Sequence, residues 1–147
     1  MAYKSVLITG CSTGGLGHAL ALAFQKRGLT VFATARSPKK MQDLASLPNM
    51  HLLPLDVTDP ASIAAVAKEV EAKTGGKLDV LINNAGQQMI MPALDLDVEK
   101  AKAVFDVNYW AAIRMVQAFG LMLIAARGTV VNVGSTAGVV TIPFQST

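Results

Sequence analysis

Short apolar runs alternate along this chain with stretches whose apolar side chains recur every three or four residues. The first run, residues 5–9 (Ser-Val-Leu-Ile-Thr), is short, apolar and partly β-branched, which predicts a buried strand. Leu16, Ala19, Leu20, Ala23 and Phe24 follow at helical spacing, and Gly28 stands where a helix stop belongs. Residues 30–34 predict a second strand. Ser37 and Pro38 then predict an N-cap and a first-turn proline for a modest helix through Met41, Leu44 and Ala45. Residues 50–55 predict a third strand. Asp59-Pro60 opens a helix with Ile63, Val66, Ala67 and Val70 on one face, and Gly75-Gly76 closes it. Residues 78–82 predict a fourth strand. After a loop over 87–96, a short helix starts near Asp97, a longer one covers 106–126, Gly128 breaks it, and residues 129–133 predict a fifth strand. The longer helix is apolar nearly all round, so burial on several sides is expected, between the sheet and a partner subunit.

The strands are continuous apolar runs separated by helices, which predicts a parallel sheet covered by helices on both faces. Residues 1–147 contain no internal repeat, low-complexity tract or linker, so one domain is expected. Composition refines this reading without changing it. Apolar residues make up 52% and charged residues 16%, a globular balance, and the net charge of +3 comes from scattered bases such as Lys26, Arg27, Lys39, Lys40, Lys68 and Lys73. No basic run suggests a nucleic-acid partner, and no metal site is expected. The single cysteine, Cys11, excludes an internal disulfide and reads as a small residue packed in a turn. The longest apolar candidate, residues 118–126, falls short of the roughly 20 residues needed to span a bilayer. With no signal-peptide pattern, a cytoplasmic protein is expected, with peripheral membrane or lipid-droplet association left open.

The polar residues cluster where the strands end, and ligands of parallel sheets bind beyond those carboxyl ends. Gly10, Gly14, Gly15 and Gly17 fall between the first strand and the first helix. A turn without Cβ atoms lets a pyrophosphate approach, and the free N–H groups and dipole of the helix attract it. The alternative is a glycine-rich connector with no ligand.

These marks together resemble the short-chain dehydrogenase/reductase family: Thr9-Gly10 with Gly14, Gly15 and Gly17; Asp56-Val57; Asn83-Asn84-Ala85-Gly86; Asn108 within Phe105-Asp106-Val107-Asn108; and Gly134-Ser135. The likeness is greatest to the acyl-dihydroxyacetone-phosphate reductase and 17β-hydroxysteroid dehydrogenase branch. It implies a Rossmann-like, doubly wound α/β sheet of about five strands, C-terminally incomplete. It also implies an oxidoreductase that interconverts a small-molecule carbonyl and its alcohol with a nicotinamide cofactor. By this resemblance Gly10, Gly14 and Gly17 cradle the phosphates, and Ile8, Ser12 and Gly15 belong with them to the cofactor-binding site. Asp56 receives the adenine amine, and Asn83, Ala85 and Gly86 line the adenosine ribose. Ser135 donates to the substrate oxygen, and Asn108 holds a relay water through a helix irregularity. Ser135 also reads as a loop hydroxyl, and Asn108 as a helix residue satisfied by backbone.

Cofactor choice turns on Thr34-Ala35-Arg36 at the end of the second strand. An acidic residue there would bind the ribose 2′-OH of NAD. An arginine instead pairs with a 2′-phosphate, which favours NADP(H); the alternative is an ordinary surface arginine. Arg114 is a secondary candidate for the same crevice. The family's Tyr-x-x-x-Lys pair is not found, since the tyrosines are Tyr3 and Tyr109 and no lysine follows Lys102. These 147 residues are therefore expected to be inactive alone and to associate or dissolve poorly, with a homo-oligomer through helix 106–126 as one route. A non-catalytic nucleotide-binding or interaction module derived from such an enzyme is the alternative function.

Overall fold

The strand pattern closes into one five-stranded, all-parallel sheet, seen in a computed structural model that describes residues 5–140 and Pro143. The strands are β1 (Ser5–Ile8), β2 (Thr30–Ala35), β3 (Met50–Pro54), β4 (Val80–Asn83) and β5 (Thr129–Asn132), in the spatial order β3-β2-β1-β4-β5. Tyr3, expected ahead of the first strand, lies outside the described residues. The helices are α1 (Leu16–Lys26), α2 (Pro60–Thr74), α3 (Val98–Phe105) and α4 (Ala111–Ala126).

Two apolar clusters form the core, one on each face of the sheet. On one face α1, through Ala21, and the segment carrying Met41 and Leu44 pack on Val6, Ile8, Val31 and Ala33. On the other, Ile63, Val66 and Val70 of α2 meet Met115, Phe119 and Met122 of α4 over Leu7, Phe32 and Leu81. Residues alternating along each strand thus serve opposite faces, and both faces are covered, which is why the strands read as unbroken apolar runs. Asp59 caps α2 by accepting from Ala61 N at 2.9 Å, and Gly75 ends it in the left-handed conformation (φ 64°). Asp97 caps α3 through Glu99 N at 2.9 Å.

Three elements call for comment against the expectation. Residues Pro38–Leu44 form a 3₁₀ helix, and Ser37 makes no side-chain cap bond. A local reason is visible: Thr13 draws the Lys40 carbonyl away, with N at 2.8 Å and Oγ1 at 2.7 Å, so that oxygen is directed out of a helical ladder. Within the single chain the apolar helix is buried on the face toward the sheet, and its other face is exposed. Ala111, Met115, Phe119, Met122 and Leu123 face inward, whereas Leu121 is 85% and Ile124 75% exposed, and every residue of β5 is exposed. Its near-uniform apolar pattern could not show which side the sheet takes. Finally, α3 and α4 join through a π-helical turn, Asp106–Trp110, into a continuous helical run, Val98–Ala126, of 29 residues. By length and composition this run could cross a membrane, which corrects the expectation that no segment is long enough. Core helices of water-soluble folds meet the same criterion, and here the inward face of α4 packs on the sheet.

Candidate functional site

The strand order reverses between β1 and β4, so the loops after these neighbouring strands part and leave a crevice at the carboxyl edge. Two large cavities among the described residues open into it. The first, about 390 Å³, is lined by Gly10, Ser12, Arg36, Asp56 and Thr58. The second, about 530 Å³, is lined by Asn108, Gly134 and Ser135. Asn84, Ala85, Gly86 and Gln87 line both, so one four-residue wall borders a long trough that crosses the top of the sheet.

The glycine turn builds the near end of this trough. Gly10 has φ +74°, and a Cβ there would lie 2.9 Å from the Ala85 Cα. Gly17 is buried directly behind it: its Cβ would lie 2.5 Å from the Gly10 carbonyl oxygen and 2.5 Å from Asn84 Nδ2. These two positions bring α1 onto the ends of β1 and β4. Gly14 instead has φ +83° with open space around it. Gly15 is the N-cap of α1, where no side chain caps the helix and no acidic residue occupies the first turn. The N–H groups and dipole of α1 therefore face the crevice uncompensated by side chains. Ile8 and Thr34 do not line the trough. They anchor it from below, where Thr34 Oγ1 donates to the Ile8 carbonyl at 3.0 Å. Cys11 is fully buried, and burial pushes its thiol up to about 12, so it is a protonated packing residue.

Arg36 follows the end of β2, is exposed, and forms no salt bridge among the described residues. Across the cavity, Asp56 Oδ1 accepts from Thr58 Oγ1 at 2.7 Å and Thr58 N at 2.9 Å. These bonds, with a smaller contribution from the Arg36 charge, hold the Asp56 carboxyl below its ordinary range. An ionised acceptor and an unpaired guanidinium thus share one cavity.

Thr9 organises the boundary between the two cavities. Its hydroxyl oxygen accepts from Asn84 N and Ala85 N, both at 2.9 Å, and Asn84 Nδ2 donates back to the Thr9 and Gly10 carbonyls at 2.8 and 3.1 Å. Asn83 Nδ2 donates to Asn132 Oδ1 at 2.9 Å, tying β4 to β5, and Asn83 Oδ1 is buried without a partner. In the second cavity, Asn108 sits in the π-helical turn. Its side-chain amide is held at both ends by Gln87, accepting from the backbone N and donating to the carbonyl at 2.8 Å each. Ser135 Oγ accepts from Ala137 N at 3.1 Å, and its hydrogen remains available to donate.

The structure thus brings Gly10, Ser12, Arg36, Asp56, Ala85 and Gly86 into one cavity and Asn108 with Ser135 into the next. Arg114 lines neither. It pairs with Asp106 at 2.7 Å, and its Nη1 is buried without a partner. Tyr109 is also outside both, stacked edge-on against Trp110. Sequence reasoning did not assign Thr9 or Thr58 a part in the site. The Asp-x-Thr spacing at Asp56 signals the Thr58 contact. Thr9 belongs to the glycine motif, but nothing local signals what its hydroxyl does, because its partners lie about 75 residues away.

Residues 4–147 match the family model described as short chain dehydrogenase. The chain belongs to the short-chain dehydrogenase family. It is 48% identical over 145 residues to the NADPH-dependent 1-acyldihydroxyacetone phosphate reductase of Schizosaccharomyces pombe, covering 99% of this chain and 49% of that protein. It is 51% identical over 137 residues to a short-chain dehydrogenase of Penicillium crustosum, covering 93% of this chain and 51% of the relative. This short-chain dehydrogenase chain therefore spans about half the length of the curated relatives it matches. Among solved structures it resembles an NADPH-bound carbonyl reductase from chicken fatty liver, with TM-score 0.85 and 34% identity over 94% of this chain and 62% of that one. It also resembles a Streptomyces avermitilis short-chain dehydrogenase, with TM-score 0.87 and 31% identity over 97% and 53%.

Proposed function

We propose that this chain forms the cofactor-binding half of an NADP(H)-dependent oxidoreductase that interconverts a small-molecule carbonyl and its alcohol. The observation that carries the reading is Arg36. It directly follows β2, without a salt bridge among the described residues, in the same cavity as Gly10 and Asp56, where an NAD-binding site would place a carboxylate. The NADPH-dependent yeast relative and the NADPH-bound structural neighbour support the same choice.

The residues present fit a dinucleotide. The uncapped start of α1 and the open backbone at Gly14 hold the pyrophosphate. Arg36 pairs with the 2′-phosphate, a doubly bonded geometry its planar fork favours. Asp56 accepts from the adenine amine while Thr58 keeps it ionised and oriented. The bound cofactor supplies or takes the hydride. Ser135 donates its hydrogen bond to the substrate oxygen, its orientation set by Ala137 N. Asn108, held by Gln87, fixes the irregular turn that forms the opposite wall. Proton exchange at the substrate oxygen needs a further acid, which no described residue lining the Ser135 cavity supplies. Turnover would require such an acid beside Ser135. The outward face of α4, with Leu121 and Ile124, is the surface through which copies of the chain would pair.

The test is a fluorescence titration of wild type and Arg36→Ala with NADPH and NADH. Losing a charged phosphate contact should weaken NADPH about 10–100-fold and leave NADH within about twofold. Equal affinity of the wild type for both nucleotides, or equal weakening of both by the substitution, would overturn the reading.

A further inference from the structure

We infer that Asp43 is a positioning residue for cofactor discrimination: through Thr13 and His18 it clamps the glycine turn to the segment that follows Arg36. This rests on the reading of Arg36 as the 2′-phosphate ligand.

The geometry is specific. Asp43 Oδ2 lies 2.6 Å from His18 Nε2, in the first turn of α1, and Asp43 Oδ1 lies 2.8 Å from Thr13 Oγ1, in the glycine turn. The Thr13 hydroxyl also lies 2.7 Å from the Lys40 carbonyl, which Thr13 N holds at 2.8 Å, so its single proton serves one of two acceptors. Both carboxylate oxygens are therefore engaged with the element that cradles the phosphates. On the other side of Arg36, Cys11 N donates to the Thr34 carbonyl at 2.8 Å. Arg36 thus sits on a short bridge, Ala35 to Lys39, pinned at both ends to the same turn. Met41 and Leu44, fully buried, hold the far end down from below.

The chemistry of the surroundings explains why a carboxylate can serve here. Arg36, Lys39 and Lys40 are exposed on this rim, a basic setting suited to a phosphate. A free carboxylate among them would oppose that phosphate. Asp43 does not stand free, since its two oxygens lie within hydrogen-bond reach of His18 Nε2 and Thr13 Oγ1. It orders the long Arg36 side chain's backbone mount, and so reduces the freedom lost when the guanidinium meets its ligand.

The experiment compares NADPH and NADH dissociation constants for the full chain, Asp43→Ala, Asp43→Asn and Thr13→Val, alongside thermal melts. Asp43→Ala should weaken NADPH about five- to tenfold while NADH stays within about twofold. Thr13→Val should do the same. Asp43→Asn keeps an acceptor for Thr13 and offers a donor to His18, so it should restore the wild-type ratio. Equal weakening of both nucleotides by Asp43→Ala, or a ratio unchanged from wild type, overturns the clamp. If Asp43→Ala loses its cooperative melt, Thr13→Val decides by the same criterion, and a wild-type NADPH/NADH ratio in Thr13→Val overturns the clamp. A wild type with no preference for NADPH overturns the Arg36 reading and the clamp with it. A wild-type preference that survives Asp43→Ala overturns the clamp alone.

Discussion

Gly17→Ala should destabilise the chain by about 2–4 kcal/mol, although alanine is the better helix former. The added methyl would lie 2.5 Å from both the Gly10 carbonyl oxygen and Asn84 Nδ2. Neither neighbour can yield cheaply. Gly10 is itself confined at φ +74° by the Ala85 backbone, and Asn84 Nδ2 is bonded to the Thr9 and Gly10 carbonyls. The helix must lift off the strand ends or Asn84 must give up its bonds, and either change opens the mouth of the first cavity. Helix propensity offsets only about 1 kcal/mol of this. Gly120→Ala is the internal control: it is also helical, with nothing within 4 Å of the new Cβ, and should be neutral or slightly stabilising. The urea midpoint should therefore fall for Gly17→Ala and stay at or slightly above wild type for Gly120→Ala. A Gly17→Ala midpoint at or above the wild-type value would show that α1 does not approach β1 as closely as described.

Thr9→Val should cost about 2–4 kcal/mol with almost no change in side-chain volume. Thr9 is 1% exposed, and its hydroxyl oxygen is the shared acceptor for the Asn84 and Ala85 N–H groups. Valine leaves both donors facing a methyl group, and an unsatisfied buried donor costs roughly 1–3 kcal/mol each. At about 2–4 °C per kcal/mol for a chain of this size, the melting temperature should fall by roughly 5–15 °C. Thr9→Ser, which keeps the hydroxyl, should recover most of the loss. Nucleotide affinity should fall together with stability, because residues 84–87 wall both cavities. A Thr9→Val melt within about a degree of wild type would remove Thr9 from its place at the centre of the crevice.

Much of the fold can be read directly from the pattern. Doubly covered strands must be apolar on both faces, so β1, β2 and β4 announce themselves as unbroken runs. Asp59-Pro60 and Gly75 announce both ends of α2 because capping is local chemistry. The trough is equally legible, since its residues come from the ends of successive strands. What the chain does not disclose locally is decided at a distance. The segment after Ser37 becomes a 3₁₀ helix in step with Thr13 taking the Lys40 carbonyl. The inward side of α4 is chosen by α2 and the sheet, because Leu121 and Ile124 are as apolar as Phe119 and Met122. Thr9, Asn84 and Asp43 are ordinary polar residues until the fold places their partners beside them. Arg36 shows the intermediate case: its position after β2 is legible, but that it stands unpaired is a property of the assembled rim.

On the proposed reading, the first cavity receives an adenosine bearing a second phosphate at the ribose 2′ position. Calorimetric titration of the folded chain with adenosine 2′,5′-bisphosphate and, separately, with adenosine 5′-monophosphate tests it without any contribution from the nicotinamide half. The bisphosphate should bind at least about tenfold more tightly, with that advantage abolished in Arg36→Ala. Equal binding of the two nucleotides, or an advantage that persists without Arg36, would contradict the account.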